Sequence, residues 1–139
     1  MKTSSGTILL PFKRGPVEQR GPLWITASRL SFSGFWTLTT AGPAALRMRA
    51  GWPEMPGAVG LSMRIDPLRR ASWTVSVWEN QAANRAFVDS PAHLAIMTAY
   101  GAHGVTGTEI GWAADTLDLD AAWERAAAEL GAQPAGRAA

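Results

Sequence analysis

The sequence predicts one α+β domain, in which helices pack against an antiparallel sheet. Ala58–Ile65 and Ala71–Trp78 alternate in side-chain character as strands do, and a short turn beginning at Asp66-Pro67 separates them. The residues between this pair and Tyr100 have helical spacing instead. A chain of 139 residues, of which 47% are apolar, is long enough to bury one core.

The two ends of the chain carry few signals of regular structure. Residues 1–21 mix Ser, Gly, Pro and basic residues, so we expect a flexible arm with at most a short extended piece at Thr7–Leu10. The last residues, 132–139, have the composition of a disordered tail. The folded domain is therefore expected to span residues 22–131.

The first half of the domain is predicted to contain one strand and one helix. Leu23–Phe32 is rich in β-favouring residues and forms the first predicted strand. Gly42-Pro43 fits a helix start, because proline is favoured at the first helical position, and that helix is expected to run through Arg49. The pattern leaves open whether Phe35–Thr40 is helical as well.

The two central strands each have two distinct faces. We expect the more apolar faces to lie under the helices, and they carry Val59, Leu61, Met63, Trp73, Val75 and Val77. The opposite, semi-polar faces carry Ser62, Arg64, Thr74, Ser76 and Trp78. An uncovered sheet face of this kind usually finds a partner, such as the sheet of a second copy.

Capping signals divide the second half of the domain. Asn80 is a candidate N-cap, Ser90-Pro91 restarts the helix, and Gly101 is well placed to stop it. Gly104–Ala113 is predicted to be a fourth strand, and apolar residues recur at helical spacing within Leu119–Leu130. The order β-α-β-β-α-β, followed by an additional C-terminal helix, is the ferredoxin-like arrangement.

Composition excludes several classes of protein. The net charge is only +2 and the arginines are scattered, which argues against a nucleic-acid partner. The absence of cysteine excludes disulfides and thiolate chemistry and fits a reducing, cytoplasmic location. No apolar run reaches membrane-spanning length, and the N-terminus lacks a signal-peptide core, so we expect no membrane partner.

One segment resembles a known superfamily. TVSVWENQAANRAFVDSPAHLAIM resembles the strand–helix signature SxWxxxxxxxxFxxxxxH of dimeric α+β barrel proteins, with Ser76, Trp78, Phe87 and His93 at the specified positions. The preceding PGAVGLSMRIDPLRRASWTVSVWE is similar to their PGxxG-strand-turn-strand stretch. The chain thus looks like spheroidene monooxygenase-like and antibiotic-biosynthesis-monooxygenase-like proteins, near the heme-degrading monooxygenases. The resemblance implies a homodimer in which two sheets form a barrel.

Two groups of candidate site residues follow. His93 shares a helical stripe with Ile96, Met97 and Tyr100, and the resemblance implies that His93 is the axial ligand of a heme iron. Met97, Trp78 and Ser76 are expected to line the same cofactor cavity, although core packing is the favoured role for Met97 and Trp78 could equally seal the dimer interface.

Arg64 and His103 are the candidate catalytic residues. Arg64 is expected to point into the same interior as Trp78, where a charge needs a partner such as a carboxylate substrate, a heme propionate or Glu109. His103 lies between flexible residues and is a candidate proton donor. For both residues, simple solvent exposure is the competing interpretation.

Three functions remain open on sequence grounds. The leading interpretation is a heme-binding oxygenase-type enzyme with histidine-ligated iron that acts on a small molecule. The alternatives are a cofactor-independent barrel monooxygenase, cyclase or isomerase of secondary metabolism, in which His93 is a base or a structural residue, and a dimeric small-molecule-binding protein without turnover. The superfamily contains all three kinds, so the motif alone does not separate them.

Overall fold

The computed structural model describes residues 8–18, 21–102 and 104–131, with only the backbone described over 35–41. His103 and the predicted tail at 132–139 lie outside these ranges. In chain order the elements are β1 (Ile8–Arg14), β2 (Leu23–Phe32), α1 (Phe35–Ala50), β3 (Ala58–Asp66), β4 (Ala71–Trp78), α2 (Gln81–Val88), α3 (Pro91–Ala102), β5 (Val105–Ala114) and α4 (Leu119–Leu130). A single 3-10 turn, Trp52–Glu54, follows α1.

The strands form one antiparallel sheet in the order β1-β3-β4-β2-β5. The strands β3, β4, β2 and β5 lie side by side in that order. The first strand of the ferredoxin-like unit, β2, therefore lies between its third strand, β4, and its fourth strand, β5, as in the β-α-β-β-α-β arrangement. The predicted fold class is therefore confirmed, including the additional C-terminal helix. Of the helices that the structure describes, none is sufficiently long and apolar to span a membrane.

The edge strand β1 is a correction to the sequence prediction. The sequence allowed a short extended piece at Thr7–Leu10, but the strand runs from Ile8 to Arg14 and pairs with β3, so the predicted flexible arm is wrong for residues 11–14. Pro11 lies where the pairing register shifts, between Leu10 and Lys13, and proline is tolerated in a sheet at edges and bulges. The ring of Phe12 lies over Gly60 of β3, where the Cβ atom of any residue other than glycine at position 60 would lie.

The pairing register also corrects the predicted faces of the sheet. Leu61 lies opposite Ser76, and Arg64 lies opposite Trp73. Because directly paired residues share a face, Leu61 and Met63 lie with Thr74, Ser76 and Trp78, whereas Ser62 and Arg64 lie with Trp73 and Val75. The prediction that Arg64 shares an interior with Trp78 is therefore wrong.

Both faces of the central sheet are covered within the described chain. Helix α4 packs on one face, and its inward residues Ala122, Trp123, Ala126 and Leu130 form a core with Leu23, Ile25, Ala27, Trp73, Val75 and Val77. The Nε1 atom of Trp123 donates a hydrogen bond to Ser62 Oγ at 3.1 Å. Helices α1, α2 and α3 lie over the other face, which carries Ser76 and Trp78.

Local capping signals predicted some helix ends and not others. Asn80 Oδ1 accepts a hydrogen bond from Ala83 N at 2.8 Å, and Ser90 Oγ accepts one from His93 N at 3.2 Å, as the sequence predicted. Pro43, however, lies inside α1, which begins at Phe35, and Gly101 lies inside α3. The chain instead turns at Gly104, whose φ of 79° favours glycine.

Candidate functional site

A cavity of about 270 Å³ lies between the sheet and helices α1, α2 and α3. The sheet supplies a floor of small and hydroxyl-bearing residues from β2 and β4, together with Leu61 and Met63 of β3. The helices supply apolar and aromatic walls. The volume lies near the lower end of the range of about 300–1,000 Å³ that is typical of small-molecule sites.

Hydroxyl groups on the floor form a closed network. Trp78 Nε1 donates a hydrogen bond to Ser76 Oγ at 3.0 Å, and the same oxygen shares a short hydrogen bond with Thr26 Oγ1. This network arises because Thr26 and Ser76 lie directly opposite each other on β2 and β4. Its bonds hold the Ser76 hydroxyl to other side chains of the floor.

A row of aromatic rings forms one wall of the cavity and ends at His93. The ring centroids of Trp52 and Trp78 are 5.1 Å apart, those of Trp78 and Phe87 are 5.2 Å apart, and those of Phe87 and His93 are 4.7 Å apart. Tilted and edge-on contacts at these separations stabilise aromatic pairs beyond the burial of area. The row fixes the imidazole plane against Phe87.

The imidazole of His93 is held in a defined orientation. The Ser90 cap and Pro91 start α3 at a new angle after α2, which places His93 in its first turn. His93 Nδ1 lies 3.1 Å from the carbonyl oxygen of Val88. When Nδ1 carries the proton and donates it to this carbonyl, Nε2 is left as an acceptor. His93 is half-buried and lines the cavity.

Glu109 is the acidic residue of the site. It lies on β5 opposite Ser28, so its side chain is on the cavity face of the sheet. Although the residue is exposed in part, burial of its carboxyl group raises the pKa of Glu109, and the charge of protonated His93 offsets part of this rise. A carboxyl group of this kind, beside an imidazole at a cavity rim, is a candidate general base.

Two further polar residues of the lining are buried without a partner for one of their atoms. Asn84 on α2 is 6% exposed and Trp52 is 1% exposed, and neither Asn84 Oδ1 nor Trp52 Nε1 has a hydrogen-bond partner among the described residues. Tyr100 closes the far side of the cavity, where burial raises the pKa of its phenol and Arg47 offsets part of the rise.

Four of the predicted site residues line this cavity: Ser76, Trp78, His93 and Met97. Met97 is at the rim, with 39% of its surface exposed. Sequence reasoning considered Glu109 only as a partner of Arg64 and did not indicate Asn84, Thr26 or Trp52. The signal that was available for Glu109 is its position in a strand of glycines and threonines, where a lone carboxylate stands out.

Arg64 belongs to a different environment. Its guanidinium carbon lies 3.9 Å from the ring centroid of Trp123, on the face covered by α4. Burial lowers the pKa of Arg64, and the carboxylate of Asp120 offsets part of the change. Because Arg64 is on the far side of the sheet, it is not among the residues that line the cavity.

The site does not contain a cluster of metal ligands. Within residues 8–18, 21–102 and 104–131, no three His, Cys, Asp or Glu side chains come together in a group that could hold a metal ion. Any metal at this cavity would therefore take His93 as a lone imidazole ligand or come with a macrocycle that supplies the other donors.

Known proteins resemble this chain mainly in structure. SnoaB, a cofactor-independent oxygenase from Streptomyces nogalater, is 19% identical with a TM-score of 0.54, and the match covers 70% of this chain and 96% of SnoaB. The heme-degrading enzyme LmHde from Listeria monocytogenes is 11% identical with a TM-score of 0.54, over 78% of this chain and 72% of LmHde. A proposed antibiotic-biosynthesis monooxygenase from Deinococcus radiodurans is 15% identical with a TM-score of 0.58, over 69% of this chain and 97% of that one.

Similarity in sequence is more limited. No family model matches the chain. Human acyloxyacyl hydrolase is 32% identical over 79 residues, which are 57% of this chain and only 13% of that protein. The structural matches, by contrast, span most of the described domain. They show that the chain has the ferredoxin-like α+β fold of the antibiotic-biosynthesis monooxygenases, a fold that a heme-degrading enzyme shares.

Proposed function

We propose that this protein is an oxygenase that oxidises a small aromatic molecule without a cofactor. The observation that carries the proposal is that Glu109 and His93 line the same cavity, whose other lining residues are apolar, aromatic or hydroxyl-bearing apart from the amide Asn84. Such walls fit a flat, uncharged ring system. The structural similarity to SnoaB, a cofactor-independent oxygenase, supports the same assignment.

The chemistry needs a substrate that supplies its own electrons, because no cofactor supplies them. A methylene group beside aromatic rings loses a proton to a base, and the resulting carbanion reduces dioxygen. One oxygen atom enters that carbon as a carbonyl, and the other leaves as water with both hydrogens, so that CH₂ and O₂ become C=O and H₂O. The protein therefore has to bind the ring, accept and return a proton, and exclude bulk water.

The described residues meet these requirements. The carboxylate of Glu109 accepts the proton, and the raised pKa makes it a stronger base than an ordinary glutamate. His93, held by Val88, is positioned to pass the proton onward, since its Nε2 is left as an acceptor. The aromatic row of Trp52, Trp78 and Phe87 packs against the ring of the substrate.

A heme-binding oxygenase with His93 as ligand is the second candidate, and one observation favours it. A histidine that binds a metal through one ring nitrogen almost always donates a hydrogen bond from its other ring N–H to a carbonyl or carboxylate. His93 Nδ1 is placed to do so with the carbonyl oxygen of Val88. The rest of the cavity fits a heme poorly. Its volume of about 270 Å³ is small for a porphyrin macrocycle. None of the described lining residues is Lys or Arg, the side chains that best bind carboxylates such as the heme propionates.

A hydrolase, the activity named for the human relative, finds less support. Ester cleavage by a serine requires a hydroxyl that is hydrogen-bonded to a base. Among the described residues, Ser76 Oγ is hydrogen-bonded to Trp78 and Thr26, neither of which is a base. The similarity to that protein also covers only 13% of its length.

Two measurements on the purified protein test the proposal. Oxygen uptake and carbonyl product should appear with substrates that carry a methylene group beside aromatic rings, without added metal or flavin. Glu109→Gln should lower the turnover number by about 10²- to 10⁴-fold, the usual contribution of a general base. Glu124→Gln, a matched change of an exposed glutamate on α4, should not.

The same preparation separates the two candidates. A Soret band that forms stoichiometrically with added hemin and disappears in His93→Ala would favour the heme-binding oxygenase. Oxygen uptake with full activity in a heme-free preparation supports the cofactor-independent reaction. Its absence across the substrate panel would refute the proposal.

A further inference from the structure

The side chain of Asn84 poses a specific physical problem. It lies on the inner face of α2, with only 6% of the residue exposed, and its Oδ1 atom has no hydrogen-bond partner among the described residues. A buried acceptor without a partner destabilises the folded state, because it has lost water and gained nothing in return. By contrast Asn80, one turn earlier, has its Oδ1 satisfied by Ala83 N.

The surroundings of Asn84 point to a ligand as the missing partner. Asn84 lines the main cavity and also a second hollow of about 260 Å³, which is bounded by α2 and by residues of β2 and β5. The two spaces share four lining residues: Thr26, Asn84, Val88 and Glu109. The second hollow is more polar than the main cavity, with Gln81, Arg85 and Asp89 in its lining. Asn84 thus lies where the apolar cavity meets a polar surface.

A second unpartnered group lies in the same cavity. Trp52 Nε1 is a donor, and the residue is 1% exposed. An acceptor on Asn84 and a donor on Trp52 are complementary to a ligand that carries both a hydroxyl and a carbonyl, as a hydroxylated aromatic ketone does. The hydroxyl would meet Asn84 beside Glu109, and the carbonyl would meet the tryptophan wall.

We propose that Asn84 is the specificity-determining residue of this cavity and selects aromatic molecules that carry a hydroxyl group. Its Oδ1 accepts the hydrogen bond of that hydroxyl at the junction of the two hollows. The inference rests on the proposed function for the aromatic class of the ligand. It concerns recognition alone, so binding tests it without turnover.

The test compares naphthol with naphthalene, which differ by one hydroxyl group, by isothermal titration calorimetry under argon. The wild-type protein should bind naphthol about ten-fold more tightly, because the hydroxyl satisfies a buried acceptor. In Asn84→Leu the preference should shrink to within about three-fold. Thr98→Val removes a hydroxyl from an exposed residue of α3 that does not line the cavity and should leave the preference unchanged.

A purely structural role for Asn84 gives different results. If Asn84 served the fold, Asn84→Leu would lower the melting temperature, whereas removal of an unpartnered acceptor should keep or raise it. In the wild-type protein, the side-chain amide signals of Asn84 in an NMR spectrum should shift further with naphthol than with naphthalene, whose ring current acts without a hydrogen bond. This second measurement decides the question even if the variant does not fold.

The possible outcomes separate the recognition role from the oxygenase reaction. A naphthol preference that survives in Asn84→Leu, or Asn84 amide signals that shift no further with naphthol than with naphthalene, overturns the inference. Loss of the preference in the variant together with no oxygen uptake by the wild-type protein leaves the recognition role standing and refutes the oxygenase proposal. Normal oxygen uptake together with a naphthol preference that persists in Asn84→Leu supports the oxygenase proposal and refutes the recognition role.

Discussion

The contact between Arg64 and Trp123 gives a sharp test of how the two faces of the sheet are assigned. The guanidinium carbon lies 3.9 Å from the indole centroid, Trp123 is 5% exposed and Arg64 is half-buried. Burial also lowers the pKa of Arg64, because a cation that has lost part of its hydration is less stable than in water. Cation–π contacts contribute about 0.5–1 kcal/mol when exposed and about 2 kcal/mol or more when desolvated.

A double-mutant cycle isolates this contribution. Arg64→Met keeps the aliphatic stem, and Trp123→Leu removes the aromatic face together with its hydrogen bond to Ser62. We expect Trp123→Leu to lower the free energy of unfolding by about 2–4 kcal/mol, since large-to-small changes of buried aromatics cost up to about 5 kcal/mol. The coupling between the two changes should be about 1–2 kcal/mol.

Urea unfolding of the four proteins, followed by far-ultraviolet circular dichroism, measures the cycle. A coupling below about 0.3 kcal/mol, the range of independent sites, would refute the stacked geometry. The binding of naphthol gives a second readout, because Arg64 lies across the sheet from the cavity. Loss of binding in a folded Arg64→Met protein would restore the sequence-based prediction that Arg64 belongs to the site.

Two further predictions concern stability. Because burial raises the pKa of Glu109, the folded chain holds a proton that the unfolded chain releases near pH 4.3, so wild-type stability should fall as the pH rises from about 4.3 through the folded-state pKa. Glu109→Gln should remove that decline in urea midpoints, and an unchanged pH dependence would contradict it. Trp78→Phe loses the hydrogen bond to Ser76 and part of a fully buried ring, so its free energy of unfolding should drop by about 1–3 kcal/mol. The exposed Leu68→Ala should change it by less than about 0.5 kcal/mol, and equal losses in both would contradict the burial of Trp78.

Features set by neighbouring residues in the sequence were predictable. The bounds of β2 and β4 agree with the predicted strands, since β-favouring composition and alternation are local properties. Asn80 and Ser90 cap their helices because a side-chain oxygen reaches a backbone amide only three residues away. The stripe of His93 on α3 follows from helical periodicity in the same way.

Features set by pairing between distant segments were not predictable. Period-two alternation says which residues of one strand share a face, but the register Leu61–Ser76 decides which faces of two strands coincide. For this reason Arg64 was assigned to the wrong side of the sheet. The full extent of strand β1 was not predicted because it depends on pairing with β3, and Pro11 argues locally against a strand.

The site residues that sequence reasoning missed depend on the same long-range geometry. Glu109 comes next to His93 only because β5 pairs with β2 along the edge under α3. The unpartnered Oδ1 of Asn84 is a property of its three-dimensional surroundings, and its position on α2 looks locally like that of any helical asparagine. A single sequence contains no local trace of either fact.

The packing of α4 changes how self-association should be pictured. Two copies can pack sheet against sheet only where each sheet has an uncovered face. Here Ile25, Val75 and Val77 on this face already pack with Ala122 and Ala126 of α4 in the same chain. A second copy would have to dock elsewhere or displace this helix. These twelve residues bury an apolar face of the sheet that would otherwise be exposed, so a chain truncated before Leu119 should aggregate rather than remain monodisperse.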